Sequence, residues 1–227
     1  MPSQITDNFE TYNVADLTGQ GSWTGPAGKF DVQSSVTKTG SRAIKGTAPG
    51  GTNGAFRTFT AALTGTQVIW LNHNRDSAGV DCKLVIGNTE TPTTTDYTLN
   101  GSAQIWLNRV GAGDLRATIA TGDNNETGSL DLPGGTALSF GTWYKLEIEW
   151  INSQGLYGQF RGRIDDGTFS DWVDTTIGIR FDASGIGFIC LAQNDPNTPT
   201  QVYFDELGEP VVATGLNPRR MMTGLGM

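Results

Sequence analysis

The sequence has few of the side chains that most often carry acid–base and redox chemistry, with one histidine and two cysteines in 227 residues. Histidine is the side chain whose charge ordinarily changes near neutral pH, so chemistry that needs a histidine base depends on His73 alone. His73 stands in HNRD, residues 73 to 76, which we predict to be a surface loop after the strand QVIWL. A single histidine there, without a predicted partner, favours a surface residue over a catalytic base.

The scarcity of cysteine also argues against a disulfide framework. Cys82 and Cys190 each lie inside an apolar stretch, VDCKLVI and GFICLAQ, and nothing in the sequence marks an oxidising compartment. We therefore predict two buried free thiols rather than a bridge. The first ten residues, MPSQITDNFE, lack the basic stretch and the apolar core of a signal peptide. We expect synthesis in the cytoplasm, with an extracellular location as the alternative if a leader has been removed.

Positive charge and long apolar runs are scarce as well. Lysine and arginine together number 15 against 23 aspartates and glutamates, which gives a net charge of -8. Proteins that bind nucleic acid neutralise phosphates with basic patches, and this sequence has none. No apolar run approaches the roughly 20 residues that a helix needs to cross a bilayer. We therefore expect neither nucleic acid nor a membrane as a partner.

Glycine, in contrast, is abundant, with 31 residues, and apolar residues recur at every second position of many short segments. In DLRATIA, for example, Leu115, Ala117 and Ile119 share one face of a predicted strand. GIGFICLA, residues 185 to 192, is apolar on both faces, which is typical of a central strand covered on each side. Turn clusters such as LPGG separate these runs. The pattern predicts an all-β antiparallel sandwich over residues 1–210, followed by an extended arm over residues 211–227.

The segment GTWYKLEIEW, residues 141 to 150, carries the strongest candidate chemistry. Apolar residues alternate with Glu147 and Glu149, so the two glutamates point away from the core. The next run, LYGQFRGRI, is predicted to be the second strand of a hairpin. A three-residue loop, 153–155, keeps both apolar faces in one core and sets Glu147 opposite Arg161. The two glutamates are therefore either surface partners of arginines or, by their spacing, the carboxyl pair of a retaining glycosidase.

Five segments in order carry a resemblance to a known family: DNFETY, TGSRAIKG, GTWYKLEIEW, RGRIDDG and VYFDELGE. They resemble landmarks of the concanavalin A-like lectin/glucanase jelly rolls, including laminin-G-like domains. The resemblance implies a jelly-roll sandwich whose first and last strands meet, but the family hosts lectins, hydrolases, lyases and viral structural parts. Members that cleave β-glucans carry Glu-x-Asp-x-x-Glu on one strand. Residues 147–152 lack the Asp and the final Glu, so we expect no enzyme.

The resemblance also implies a metal site, and the tryptophans suggest a second binding site. A calcium ion held by oxygen ligands would lie where the first and last strands meet and would use Asp7, Glu10, Asp205 and Glu206. The alternative is that these carboxylates simply face water. No other cofactor is expected. Trp106 and Trp143 lie on the face of their predicted strands that carries the polar residues. They would stack on a glycan, bury in a neighbouring protein or pack under a loop of the same molecule.

The predicted arm is rich in methionine, which adapts to irregular partner surfaces. Its candidate partner-binding residues are Arg219, Arg220, Met221, Met222, Leu225 and Met227. With no leader and no assembled catalytic motif, the sequence favours a non-enzymatic structural component of a bacteriophage virion. The part would be a head-decoration, fibre or tail protein that is a homo-oligomer bound to other virion proteins. The alternative is a carbohydrate-binding lectin-like module, and the third hypothesis is a polysaccharide-cleaving enzyme.

Overall fold

The computed structural model describes eight ranges of the chain: residues 3–47, 52–74, 81–87, 101–121, 129–154, 157–174, 185–194 and 202–208. Within these ranges every regular element is a β-strand, as the two-residue alternation of the sequence predicts. The same ranges contain no helix that is long and apolar enough to cross a bilayer.

The described strands form two antiparallel sheets. In chain order they are β1 (Phe30–Gln33), β2 (Ala43–Gly46), β3 (Thr52–Ala62), β4 (Thr64–His73), β5 (Asp81–Gly87), β6 (Gly101–Gly111), β7 (Asp114–Thr121), β8 (Leu130–Asp131), β9 (Trp143–Gln154), β10 (Tyr157–Ile164), β11 (Val173–Asp174), β12 (Ile186–Asn194) and β13 (Val202–Asp205). The seven-stranded sheet has the order β1-β2-β13-β4-β9-β10-β11, and the six-stranded sheet has the order β3-β12-β5-β6-β7-β8. Five of the eleven described neighbouring pairs join strands that are not consecutive in the chain, and this connectivity is that of a jelly roll.

The hydrophobic core lies between the sheets and is filled by alternate residues of their strands. The predicted inward faces are confirmed, since β9 buries Tyr144, Leu146, Ile148 and Trp150 while β7 buries Leu115, Ala117 and Ile119. The N-terminal segment adds Phe9, Leu17 and Trp23, each at most 1% exposed. Burial of such large apolar side chains is the main force that holds the two sheets together.

The central strand predicted from GIGFICLA is also confirmed. In β12, Ile189 and Leu191 face the core, while Phe188, Cys190 and Ala192 belong to a second buried apolar cluster on the other face of the six-stranded sheet. The free thiols are confirmed too, because Cys82 and Cys190 are buried and unbridged. They lie on opposite faces of one sheet. Burial raises the pKa of both thiols, so neither supplies a thiolate at neutral pH.

In the hairpin of β9 and β10 the predicted residues face the core, but the residues that lie opposite one another differ from the prediction. Glu147 lies opposite Arg163, and Arg161 lies opposite Glu149, so the predicted Glu147–Arg161 pairing was wrong by two residues. Gln154 still belongs to the strand and pairs with Tyr157, and the register then shifts before Gln159. A bulge of this kind inserts one unpaired residue, which a count of loop residues alone does not include. Gly155 of the predicted loop lies outside the described residues.

The prediction of a surface loop at His73 was wrong. His73 is the last residue of β4, pairs with Val202 of β13 and is fully buried. Its ring lies edge-on to Phe140, with 5.5 Å between the ring centroids. The strand extends this far because β13, which is distant in sequence, supplies a pairing partner. Residues 75 and 76 of the predicted loop lie outside the described residues.

The two ends of the jelly roll meet, as the resemblance implies. Asp7 and Leu207 exchange backbone hydrogen bonds of 2.7 and 2.8 Å, which joins the N-terminal segment to the residues after β13. The predicted domain boundary at residue 210 and the whole arm, residues 211–227, lie outside the described residues. The six residues assigned there to partner binding therefore stay a prediction.

Candidate functional site

The outward face of the seven-stranded sheet carries a cleft that we call the outer cleft. It has a volume of about 610 Å³ and is lined by Lys38, Trp70, Trp143, Lys145, Asp165 and Asp166. The floor comes from two neighbouring strands, because Trp70 of β4 lies opposite Lys145 of β9. Both side chains alternate with core residues and so point away from the core. The arrangement combines two aromatic rings with four charged groups in one open concavity.

One wall of the outer cleft is the tight turn after β10. Asp165 and Asp166 both have positive φ, 46° and 58°, and the N–H of Gly167 donates to the carbonyl of Ile164 over 2.8 Å. Two consecutive left-handed residues are characteristic of a type I′ turn, in which aspartate is tolerated. The turn therefore holds two adjacent carboxylates at the rim of the cleft.

Lys145 ties this turn to the floor. Its backbone N–H donates to Asp165 Oδ1 over 2.8 Å, and its Nζ donates to Asp166 Oδ1 over 2.8 Å. The hydrogen bond from Lys145 lowers the pKa of Asp166, which keeps that carboxylate charged at neutral pH. Lys145 is itself a buried residue, so its ammonium is directed by the turn rather than by solvent. The pair gives the cleft a fixed charge pattern.

The opposite wall is the segment between β1 and β2, which carries Lys38. Lys38 Nζ lies 4.2 Å from the centroid of the Trp70 ring, a cation–π distance. The backbone N–H of Lys38 donates to Asp205 Oδ2 over 2.7 Å. Lys38, Trp70 and Trp143 are all half-buried, so each keeps surface that a ligand can contact.

Next to the cleft, the outward side of β9 and β10 is a ladder of ion pairs. Arg163 Nη2 and Glu147 Oε2 are 2.6 Å apart, and Arg161 Nη2 and Glu149 Oε2 are 2.7 Å apart. The ring of Phe169 covers both guanidinium groups at 4.3 and 4.6 Å. Each glutamate thus pairs with an arginine, as one of the two interpretations of these residues predicts, and Glu147 is buried rather than at the surface.

The structure does not bring the two predicted glycan-binding tryptophans together. Trp143 lines the outer cleft, whereas Trp106 lies in β6 of the other sheet, is 2% exposed and has Lys83 Nζ 5.3 Å from its ring. Sequence reasoning missed Trp70 and Lys38. Trp70 stands in the apolar run QVIWL, where alternation is hidden, and Lys38 belongs to an irregular segment. The available signal was the position of Trp70 between two core residues, Ile69 and Leu71.

Three of the four predicted calcium ligands, Asp7, Glu10 and Glu206, line a second cavity of about 570 Å³ at the junction of the chain ends. Asp7 accepts hydrogen bonds from Trp23 Nε1 and Arg57 Nη1 at 3.1 and 3.0 Å. The remaining carboxylates are also engaged, Glu10 by N–H groups of the 41–42 segment and Asp205 by that of Lys38. The described ranges hold no group of three or more His, Cys, Asp or Glu side chains arranged for a metal ion. Calcium binding here stays a prediction.

Comparison with known proteins finds similarity in structure but not in sequence. No family model and no curated protein matches the chain. Among solved structures, the alginate lyase Aly36B has a TM-score of 0.57 at 13% identity, over 92% of this chain and 96% of the lyase. The carbohydrate recognition domain of Emp46p has a TM-score of 0.56 at 11% identity, over 92% and 97%. A carbohydrate esterase of the Shiga toxin-encoding bacteriophage phi24B has a TM-score of 0.56 at 18% identity, over 91% and 96%.

At these identities the likeness defines the fold class. The protein is an all-β jelly-roll sandwich of the kind found in lectin recognition domains and polysaccharide lyases. The prediction that the protein is not an enzyme is contradicted, because the proteins that share its fold over nearly their whole length include a lyase and an esterase. The prediction failed because a missing Glu-x-Asp-x-x-Glu motif argues against β-glucanases only, while the same fold carries other chemistries.

Proposed function

We propose that the protein is a concanavalin A-like jelly-roll protein that binds a polysaccharide chain in the outer cleft. The observation that carries the proposal is the convergence of Trp70 and Trp143 with the ammonium groups of Lys38 and Lys145 in one cavity. Ligand sites typically combine aromatic walls with a few placed polar groups, and an indole ring offers a flat apolar face with a polar edge. A pyranose ring has matching apolar faces and hydroxyl edges.

An acidic polysaccharide fits this cleft better than a neutral one. Lys38 holds its ammonium against the face of Trp70, so a charge and an aromatic ring meet the same sugar unit. An ammonium forms its strongest hydrogen bonds with carboxylates. The cleft carboxylate of Asp166 is engaged by Lys145, which leaves a ligand carboxylate as a suitable partner for Lys38. A chain of uronic acids, such as alginate, has one carboxylate on every unit.

Isothermal titration of the protein with alginate tests the proposal. We expect Trp143→Ala to weaken binding about tenfold or more, which corresponds to roughly 1.4 kcal/mol, because the change removes a stacking surface but no core contact. Val110→Ala is the matched control, since Val110 is 56% exposed and lies in the other sheet. Equal affinities of Trp143→Ala and the unchanged protein, or no binding to alginate at all, would contradict the proposal.

A second candidate function is cleavage of the bound chain by β-elimination. In this reaction the uronate carboxylate is neutralised, a base takes the neighbouring C5 proton, the C4–O4 bond breaks as the C4=C5 double bond forms, and an acid protonates the leaving O4 oxygen. Tyr203 of β13 favours it, because this outward residue, which is 6% exposed, lies opposite both Lys45 and Asn72 in the sheet, and Asn72 lies opposite Trp143. Burial raises the pKa of Tyr203, so the phenol keeps its proton at neutral pH and suits the donor role.

Elimination creates a double bond conjugated with the carboxylate, and its ultraviolet absorbance measures turnover directly. If the protein is a lyase, we expect Tyr203→Phe to reduce the rate about a hundredfold or more while alginate affinity changes little, because the substitution removes one hydroxyl group. Unchanged turnover in Tyr203→Phe would exclude this role. Binding without any increase in absorbance would leave the protein as a polysaccharide-binding module.

We propose separately that the protein is a structural component of a bacteriophage virion. Its support is the composition of the arm, residues 211–227, with its arginine pair and its methionines. A virion location is compatible with a glycan-binding or glycan-cleaving site, since such a site would face the host surface. Mass spectrometry of purified particles tests it, because a structural part is present in stoichiometric amount and is lost from particles when the arm is deleted.

A further inference from the structure

Lys38 reaches the outer cleft from a segment that has no regular structure of its own. Residues 34–42 connect β1 to β2 at the border of the seven-stranded sheet and contain bends but no strand or helix. An ammonium on a flexible side chain loses conformational entropy when it is fixed over a ring. The 4.2 Å distance between Lys38 Nζ and the Trp70 ring therefore requires that the backbone at Lys38 is already held in place.

Asp205 supplies that hold. Its residue is 0% exposed, and its Oδ2 accepts the N–H of Lys38 over 2.7 Å and, more weakly, that of Thr39 over 3.4 Å. Its Oδ1 accepts the N–H of Glu206 over 2.8 Å. Hydrogen bonds to an ionised carboxylate are shorter and roughly twice as strong as those between neutral groups. One buried carboxylate thus joins the 34–42 segment to the end of β13.

The sheet register places this carboxylate beside the ring that Lys38 covers. Asp205 of β13 lies directly opposite Trp70 of β4, so the two side chains are neighbours on the same face. Lys38 is consequently fixed at two points, by its backbone N–H on Asp205 and by its ammonium on Trp70. Removal of the first contact leaves only the contact between the ammonium and the ring to hold the residue.

We propose that Asp205 is a positioning residue, which holds Lys38 over Trp70 and thereby sets the affinity of the outer cleft for acidic polysaccharide. The inference rests on the proposed function, since the role of Asp205 exists only if the outer cleft binds a polysaccharide. Asp205 contacts no ligand in this role. It acts through the backbone of Lys38, and its effect therefore depends on the presence of the lysine ammonium.

The proposal is tested first without any ligand. In nuclear magnetic resonance spectra of the full chain, we expect nuclear Overhauser effects between the Lys38 side chain and the Trp70 ring, because the two lie in contact. These effects should disappear in Asp205→Asn, which weakens the hold on the Lys38 backbone, and persist in Glu206→Gln, which removes the adjacent carboxylate. Their persistence in Asp205→Asn would overturn the proposal whether or not alginate binds.

The second arm measures alginate affinity in a double-mutant cycle. We expect Asp205→Asn to weaken binding about fivefold at pH 7 and Lys38→Met to weaken it by a similar factor. The double variant should be no weaker than Lys38→Met, since Asp205 acts only through the lysine. Fully additive losses would overturn the positioning role and assign Asp205 a general structural effect.

A third measurement does not depend on how Asp205→Asn folds. If the spectra of the unchanged protein show no nuclear Overhauser effect between Lys38 and the Trp70 ring, the proposal is overturned. If the spectra show the contact as expected but alginate does not bind the unchanged protein, the proposed function fails while the contact between Asp205 and the 34–42 segment stands, so the two failures are distinguishable.

Discussion

Replacing Trp150 with alanine is expected to lower the free energy of unfolding by about 4 kcal/mol, as for other large buried aromatic residues. Trp150 is 0% exposed and lies in β9 between Phe160 of β10 and Gly65 of β4. Its ring fills the space above the glycine so closely that a Cβ on Gly65 would lie 2.2 Å from Trp150 Cζ2. The substitution therefore leaves a cavity that neighbouring side chains cannot close.

The same substitution also removes a buried hydrogen bond. Trp150 Nε1 donates to the carbonyl of Ala62 over 3.1 Å, and an acceptor that loses its partner inside the protein costs about 1–3 kcal/mol. Urea unfolding followed by circular dichroism measures the change. Trp172→Ala is the control, because Trp172 is 36% exposed and we expect a loss of about 1 kcal/mol or less. Similar losses in the free energy of unfolding for both variants would contradict a core position for Trp150.

The second large effect is expected for Asp7→Ala, with a loss of about 3 kcal/mol. The Asp7 side chain is 8% exposed and pairs with Arg57, Nη1 to Oδ2, at 3.0 Å. Its Oδ2 also accepts a hydrogen bond from Trp23 Nε1, and the hydroxyl of Tyr12 donates to the same atom. One carboxylate thus connects the N-terminal segment to the edge strand β3, and alanine leaves the buried indole of Trp23 and the half-buried donors of Arg57 and Tyr12 without their acceptor.

The matched control for Asp7→Ala is Asp131→Ala. Asp131 also pairs with an arginine, Arg116, at 2.9 Å, but its side chain is 37% exposed. Exposed ion pairs contribute about 0–1 kcal/mol, so we expect a much smaller loss of stability in the same urea experiment. If Asp131→Ala lowers the free energy of unfolding as much as Asp7→Ala does, the hydrogen bonds around Asp7 stabilise the fold no more than an exposed ion pair.

Parts of the outer cleft were predictable from the sequence. Trp143 was singled out because it falls on the polar side of β9, whereas RGRIDDG was noted only as a segment that carries the family resemblance and not as the source of two cleft carboxylates. Trp70 escaped notice because VIWL, residues 68 to 71, is apolar throughout, which hides the alternation of the strand. Lys38 escaped for a different reason, since no periodicity applies to an irregular segment.

The errors at Glu147 and His73 share a physical origin. Each depended on which residue of a second strand lies opposite, and that was decided by a bulge in one case and by a strand distant in sequence in the other. The error about enzymatic activity has another origin, because the absence of one family motif was extended to a fold that carries several reactions.

The sequence by itself determined which side chains enter the core, since strand alternation is a local property with a period of two residues. It also determined that the two thiols are buried. Only the tertiary structure decided which outward residues become neighbours, because the order β13-β4-β9 joins strands that are far apart in the chain. Asp205, Trp70 and Lys145 stand side by side for that reason alone, and no window of the sequence contains them together.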